Sequence, residues 1–134
     1  MELPAGLTAR VELTVTDADT AQTLGSGDVP VLGTPRVLAL AEAATVLATT
    51  SRLPSGTTTV GTSVQLTHLR PTPIGGKVVA VARLSTVDGK RLRFDVSVRD
   101  GEVEVATGTV ERVLVDRRRF VAAALGESTA AKPA

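Results

Sequence analysis

The sequence contains no cysteine, tryptophan or tyrosine, and only one histidine and two phenylalanines in 134 residues. Without cysteine the chain has no disulfide, no thiolate nucleophile and no thiolate metal site, and one histidine excludes a multi-histidine metal site within a chain. The missing tryptophan and tyrosine remove the usual platforms for base stacking. Because 15 basic residues balance 14 acidic ones, no strong positive field favours nucleic acid as a partner.

Long hydrophobic runs are also missing. The first residues, MELPAGLTARVEL, lack the basic and apolar segments of a signal peptide, and no stretch approaches the ~20 apolar residues that cross a bilayer. We therefore expect a cytoplasmic protein without a membrane partner. With 43% hydrophobic residues but few aromatics, the core must be built from Val, Leu and Ala. A monomer with so thinly packed a core would gain stability from association with a second copy.

The longest helical pattern covers Thr34–Thr50, TPRVLALAEAATVLATT. Thr34 is expected to cap this helix, and Pro35 suits its first position, where the missing N–H is not needed. Apolar residues recur at three- and four-residue spacing almost all round, which predicts a buried helix. Between residues 37 and 48 the only charged residue is Glu42, and a carboxylate in such surroundings needs a partner or serves chemistry.

The rest of the chain consists mainly of strands, as its alternating apolar and polar residues indicate. Strands are predicted at residues 7–16, 57–69, 77–87, 91–99 and 103–115, with short helices at 17–24 and 116–125. Asp-Gly pairs at 88–89 and 100–101 predict hairpin turns, so the last four strands are expected to form a meander.

This order of elements predicts an α+β hotdog fold, in which an antiparallel sheet wraps around one long central helix. The length suits a single domain, which we place at residues 1–125, and the remaining residues 126–134 are expected to form a flexible tail.

Thr34, Glu42 and His68 are the candidate site residues. A sheet wrapped over the helix would bring them into one cleft, because His68 is predicted on the inner face of the 57–69 strand. There a desolvated carboxylate is a stronger base or nucleophile, and an imidazole moves protons near neutral pH. The Thr34 hydroxyl and the free N–H groups at the helix start would stabilise an oxyanion. This set is suited to acyl transfer.

Each candidate also has a purely structural interpretation. Glu42 would be a partly buried acid paired with Arg36 or with a partner chain, His68 a hydrogen-bonded core histidine, and Thr34 a simple helix cap. Gly61, predicted on the face of its strand opposite His68, fits either close approach of a ligand to the backbone or a bulge in a curved sheet.

The chain resembles hotdog thioesterases of the fluoroacetyl-CoA thioesterase type over residues 28–120. The resemblance is carried by TPRVLALAEAA, VGTSVQLTHLRPTPIGG, DGKRLRFDVSVRDG and GTVERVLVDRRRF, and by the spacing of Thr34, Glu42, Gly61 and His68. It implies that Thr34, Glu42 and His68 are a catalytic triad, that the Gly61 N–H faces the thioester carbonyl, and that Arg112 lies near bound coenzyme A. It further implies a homodimer with clefts at the subunit interface, and an acyl-CoA substrate with no cofactor besides the coenzyme A of the substrate.

One departure from that family bears on the substrate. The fluoroacetyl-specific enzyme covers its site with phenylalanines just before the catalytic threonine, whereas this chain reads LGSGDVPVLG there. A general or different acyl group is therefore expected, carried by coenzyme A or by an acyl carrier protein.

Several alternatives stay open from the sequence. One alternative is a non-catalytic hotdog module that binds acyl-CoA or a small hydrophobic ligand, and another is a hotdog dehydratase or hydratase. The sequence also leaves open whether dimers stay separate or pair into tetramers. Three arginines either bind phosphates of the carrier or are plain surface charge, namely Arg70, Arg83 and Arg91. The basic run 117–119 indicates a solvated face.

Overall fold

A computed structural model describes residues 3–127 of the chain. Its elements are β1 (Thr8–Thr14), a 3-10 turn (Asp17–Asp19), α1 (Ala21–Leu24), α2 (Thr34–Thr50), β2 (Thr57–His68), β3 (Lys77–Asp88), β4 (Arg91–Asp100), β5 (Val103–Asp116) and α3 (Arg117–Ala124). The predicted elements are confirmed, except that the helix predicted at 17–24 divides into the 3-10 turn and α1. The domain boundary at residue 125 stays a prediction, and the predicted tail, apart from Gly126 and Glu127, lies outside the described residues.

The five strands form one antiparallel sheet in the order β1-β3-β4-β5-β2. Strands β3, β4 and β5 form the predicted meander, but β2 pairs with β5 instead of β3, so the prediction of a four-stranded meander was wrong. The connection between β2 and β3 contains two prolines, which cannot donate to a hairpin ladder. It bonds instead to the segment before α2, where the Leu32 N–H donates to the Thr72 carbonyl at 2.9 Å.

Helix α2 lies on one face of this sheet and packs mainly against β1 and β3. Its buried side chains meet the inward-facing aliphatic residues of the strands and Phe94, which is fully buried in β4. The predicted α+β architecture, an antiparallel sheet over one long helix, is confirmed. Among residues 3–127, no helix has both the length and the apolar character that crossing a membrane requires.

The prediction that α2 is buried holds for one side only. Ala39, Ala43, Val46 and Leu47 are exposed on the other side, with Val46 and Leu47 exposing 41% and 54% of their surface. Their spacing places them in one row along the helix, which we call the α2 stripe. The stripe contains no charged residue, so α2 presents an uncovered apolar surface.

Strand β2 contains a β-bulge at Thr62. Gly61 pairs with Arg112 and Ser63 with Glu111, so Thr62 is an extra residue on the β2 side. Because successive strand residues point to opposite faces, one inserted residue exchanges the faces beyond it. Gly61 and His68 therefore both face α2, and the prediction that they lie on opposite faces was wrong.

Candidate active site

Helix α2 begins one residue earlier than the sequence suggested, because Gly33 occupies the N-cap and Thr34 is the first helical residue. The Gly33 N–H donates to the Asp19 carbonyl at 2.9 Å. A Cβ at this glycine would lie only 3.0 Å from the Ala21 Cα, so glycine allows α1 and the start of α2 to approach closely. Thr34 is therefore not the predicted cap. Its Oγ1 lies 2.8 Å from His68 Nδ1, within hydrogen-bonding distance.

His68 is the last residue of β2 and has one engaged and one free ring nitrogen. Its Nδ1 bonds to Thr34, while Nε2 is buried and has no hydrogen-bond partner among the described residues. Burial lowers the pKa of His68 below its ordinary value, and the nearby Arg70 backbone opposes this shift in part. His68 is thus a neutral imidazole at neutral pH with a nitrogen available for proton exchange, unlike a fully bonded core histidine.

A cavity of about 290 Å³ opens beside Thr34 and His68. Small or aliphatic residues supply most of its lining, and no aromatic side chain contributes; they include Ala21, Gly27, Val29, Val31, Leu69 and Pro71. Ser26 and Arg70 add polar groups at the same place. The cavity therefore offers a largely apolar space next to the His68 side chain.

Glu42 lies further along α2 and is held by a buried arginine from β5. Its Oε2 accepts a hydrogen bond from Arg112 Nη1 at 2.9 Å. The Arg112 side chain is only 7% exposed, and it also donates from Nε to Thr59 Oγ1 at 2.9 Å and from Nη2 to the Thr59 carbonyl at 3.0 Å. Burial lowers the pKa of Arg112 and the Glu42 carboxylate raises it again, so the guanidinium stays charged.

The suggested pairing of Glu42 with Arg36 was wrong, because Arg36 Nε instead donates to Asp19 Oδ1 at 2.9 Å. Thr59 was missed by the sequence analysis. Its only signal is its position two residues before Gly61, which places both on the inner face of β2 ahead of the bulge.

Gly61 lies directly against the Glu42 carboxylate. A Cβ at position 61 would collide with Glu42 Oε2 and lie 3.4 Å from Arg112 Nη1. The bulge interpretation of this glycine is confirmed, since it adjoins the bulge at Thr62, and close approach of a ligand to it stays a prediction. The group that approaches it within the chain is Glu42.

Within one chain the candidate triad divides into two half-sites. Thr34 and His68 form the first, and Glu42, Gly61 and Arg112 form the second. No hydrogen bond joins Glu42 to His68 in the part of the chain that the structure describes. Gly61 and His68 lie roughly 20 Å apart along β2, at ~3.3 Å per residue. The predicted single cleft is therefore not formed by one subunit alone.

Other candidate binding residues are dispersed. Over residues 3–127, no three His, Asp or Glu side chains cluster closely enough to hold a metal ion. Arg70 lies beside His68, whereas Arg91 lines a separate cavity of about 620 Å³ with Lys90 and Arg93. The basic run 117–119 is exposed in the first turn of α3, as a solvated face would be.

The sequence and the fold match one protein family. The family model described as fluoroacetyl-CoA-specific thioesterase matches residues 15–118. A fluoroacetyl-CoA thioesterase from Streptantibioticus cattleyicolor is 37% identical over 90 residues, which cover 67% of this chain and 65% of that protein. The match thus leaves about a third of the length of that relative uncovered.

Solved structures agree with this assignment. A mutant of the fluoroacetyl-CoA thioesterase in complex with acetyl-CoA is 28% identical, with a TM-score of 0.88 over 94% of this chain and 99% of that one. A hot-dog-like protein from Thermanaerovibrio acidaminovorans, at 24% identity and a TM-score of 0.83, shares the fold over 92% of this chain and 91% of its own. The predictions of a hotdog fold and of a thioesterase family are confirmed. This chain belongs to the fluoroacetyl-CoA-specific thioesterase family of hotdog proteins, a family of thioester hydrolases.

Proposed function

We propose that this chain hydrolyses acyl-CoA thioesters as a homodimer, in which each active site combines Thr34 and His68 of one subunit with the partner's Glu42. The observation that carries the proposal is the division of the triad into two half-sites. Each half has a free reactive atom. His68 Nε2 has no partner, and Glu42 Oε1 makes no hydrogen bond within residues 3–127.

The open edge of the sheet at β2 supports pairing with a second copy. This strand has 12 residues, TTTVGTSVQLTH, with no Lys, Arg, Asp, Glu or Pro. Strands that must stay unpaired are usually short or protected by charges or proline. The opposite edge, β1, follows that rule, since it has 7 residues and contains Arg10 and Glu12. The β2 edge is therefore the one suited to an intersubunit sheet.

The α2 stripe supports the same interface. Its exposed aliphatic side chains would lose their contact with water against a second copy, a favourable change of about 25 cal/mol per Å² of apolar surface. Glu42 borders the stripe, because it lies three residues after Ala39 and four before Val46 on the helix. A partner that covered the stripe would therefore also approach Glu42.

Two-fold symmetry supplies the register that joins the half-sites. If β2 pairs antiparallel with its copy about Gln65, with Val64 opposite the partner's Leu66 and the bulge residue Thr62 left unpaired, His68 lies beside the partner's Gly61. Gly61 is the residue against which Glu42 lies in its own subunit. The bulge at Thr62 keeps both ends of this pairing on the inner face of the sheet.

The proposed hydrolysis uses the two atoms that lack hydrogen-bond partners in the described part of the chain, Glu42 Oε1 and His68 Nε2. Glu42 Oε1 attacks the thioester carbonyl or directs a water molecule at it, and the charge that develops on the carbonyl oxygen is stabilised by the Thr34 hydroxyl, the Thr34 N–H and the Gly61 N–H. The C–S bond breaks, and His68 Nε2 takes up the proton that the hydrolytic water releases and passes it to the coenzyme A thiolate. Addition of water gives a carboxylic acid and free coenzyme A.

The substrate class follows from the relative and from the cavity. A mutant of the family's thioesterase binds acetyl-CoA, which favours coenzyme A as the carrier here. The 290 Å³ cavity beside His68 has no aromatic cover, which favours a range of small acyl groups over selection for fluoroacetyl.

Release of free thiol from a panel of short acyl-CoA thioesters tests the reaction. Turnover is expected, and it should be lost in Glu42→Gln and in His68→Ala. Saturable binding without thiol release would instead indicate a binding module. Formation or loss of a double bond would indicate a hydratase.

Mixing the two inactive variants tests the shared site. A dimer of one Glu42→Gln and one His68→Ala subunit has one of its two sites with both groups intact. Because about half of the dimers are mixed after co-expression, about a quarter of the wild-type activity should return. A matched control mixes Glu42→Gln with the double variant Glu42→Gln/His68→Ala, which restores no site. Absence of any recovery in confirmed mixed dimers would show that Glu42 and His68 act within one subunit.

A further inference from the structure

We infer that Arg112 is a positioning residue that orients the Glu42 carboxylate, and that Thr59 in turn orients Arg112. The inference rests on the proposed function, because the orientation of Glu42 matters only if its carboxylate acts on the substrate. It assigns Arg112 a role different from the coenzyme A contact that the family resemblance implies.

The position of the guanidinium argues against a surface contact with a carrier. Arg112 is 7% exposed, and three separate nitrogens of its head donate to Thr59 and Glu42 at 2.9–3.0 Å. A group that binds the phosphates of an incoming ligand needs donors that face solvent. Here the planar head points to the inner face of the sheet, and its donors are largely used within the protein.

Within residues 3–127, only one of the two carboxylate oxygens of Glu42 is held by the protein. Arg112 Nη1 engages Oε2, and the Gly61 backbone lies against the same oxygen, while Oε1 makes no hydrogen bond among the described residues. The Glu42 side chain is 32% exposed and borders the α2 stripe. One oxygen is therefore fixed and the other is available to the substrate.

Thr59 explains why this position needs arginine. Its hydroxyl and its carbonyl accept from Nε and Nη2, so two contacts fix the plane of the guanidinium before Nη1 reaches Glu42. A lysine would keep the positive charge but has a single ammonium group, which cannot reproduce this planar arrangement. Charge and orientation can thus be separated by substitution.

Steady-state kinetics of thiol release test the inference in Arg112→Lys, Arg112→Met and Thr59→Val. We expect kcat to fall about 10- to 100-fold in the arginine variants and by a smaller factor in Thr59→Val, with KM for the acyl-CoA little changed.

Arg93→Met is the matched control, since Arg93 pairs with Glu111 at 3.2 Å on the exposed face of the neighbouring strand. Its kinetics should match wild type. Circular dichroism and thermal unfolding verify folding, and if Arg112→Met does not fold, Thr59→Val decides, because it keeps both the cation and the side-chain shape. An unchanged kcat in folded Thr59→Val would then overturn the inference.

A raised KM with an unchanged kcat in the arginine variants, together with weaker inhibition by free coenzyme A, would overturn the positioning role and favour a carrier contact. These outcomes differ from failure of the proposed function. In that case the wild-type protein would release no thiol, or Glu42→Gln would be as active as wild type.

Discussion

Thr34 Oγ1 and His68 Nδ1 lie 2.8 Å apart and join the first residue of α2 to the last residue of β2. Two groups that are distant in sequence thus form one unit. The bond restricts the ring to an orientation in which Nε2 points away from Thr34. Because Nε2 has no other partner in the described structure, this contact determines which ring nitrogen is left for the proposed proton transfer.

Removal of the Thr34 hydroxyl should lower the rate without unfolding the protein. Thr34→Val keeps the side-chain shape but loses the bond to His68, and we expect kcat for thiol release to fall about 10- to 100-fold. Thr34→Ser retains the hydroxyl and should keep most of the activity. Equal rates in Thr34→Val and wild type would show that His68 needs no orienting partner.

Titration of His68 should reflect its burial. The chain has one histidine, so proton NMR follows a single imidazole, whose midpoint in the folded state should lie below that of the urea-unfolded chain. Because the folded-state pKa is lowered, the unfolded chain binds the proton more readily, and the free energy of unfolding should decrease as the pH falls below about 6.5. The pH dependence near that value should disappear in His68→Gln. A folded-state midpoint above the unfolded one would contradict the burial of this ring.

Substitution of Gly61 should displace Glu42. In Gly61→Ala the new methyl group occupies the space of Glu42 Oε2, so the carboxylate must move away from Arg112. We expect kcat to fall about 10- to 100-fold, as for other displaced catalytic groups, with the far-UV spectrum retained. Ser63→Ala in the same strand is the control, since Ser63 is exposed and should tolerate the change. Full activity in Gly61→Ala would show that the position of this carboxylate is not critical.

A charge in the α2 stripe should prevent association. Leu47→Glu places a carboxylate on the surface that we assign to the interface, where an unpaired charge opposes burial. Size-exclusion chromatography with light scattering should show a monomer, and thiol release should fall with it because each proposed site combines two subunits. Val103→Glu, at an exposed residue beside the β4–β5 hairpin, is the control and should remain a dimer. A Leu47→Glu variant that stays dimeric and active would exclude this stripe from the interface.

Asp19→Asn should weaken the segment that supports the start of α2. Burial alone would raise the pKa of Asp19, but hydrogen bonds from the Thr16 N–H and hydroxyl, and then the Arg36 guanidinium, lower it below its ordinary value. Because Arg36 is partly exposed, most of the expected loss of about 1–3 kcal/mol comes from the buried hydrogen bonds.

The pH dependence of this loss has a definite sign. A lowered carboxyl pKa stabilises the fold above about pH 4, and this contribution disappears as the pH falls through the folded-state pKa. Chemical denaturation should therefore show the largest difference between wild type and Asp19→Asn near neutral pH and a small one in acid. Glu111→Gln, in an exposed pair with Arg93, should lower the free energy of unfolding only slightly at any pH. A difference in the free energy of unfolding that stays the same at every pH would exclude ionisation of Asp19 as the cause.

Features set by local sequence were predictable. The 3.6-residue pattern identified Thr34–Thr50, and the Asp-Gly pairs identified the hairpins that join β3, β4 and β5. The neighbour of β2 was not predictable in this way, because strand order depends on contacts between distant segments. The bond from Arg112 to Glu42 spans 70 residues and depends on that order.

The division of the candidate triad was likewise invisible in the sequence. The spacing of Thr34, Glu42 and His68 fits one shared cleft equally well within a chain or between two chains. Only the sheet register shows that Glu42 lies beside Gly61 while His68 lies near the start of α2.

The extra residue at Thr62 has a consequence for protein engineering. Deletion of Thr62 would give β2 and β5 an uninterrupted ladder, a regularisation that stability-driven redesign would favour. The same deletion would rotate one end of the strand by half a turn relative to the other, so that Gly61 and His68 would face opposite sides. The proposed catalytic arrangement thus depends on an irregularity of the sheet, and a thermostabilised descendant that lost it would keep its fold and lose the proposed chemistry.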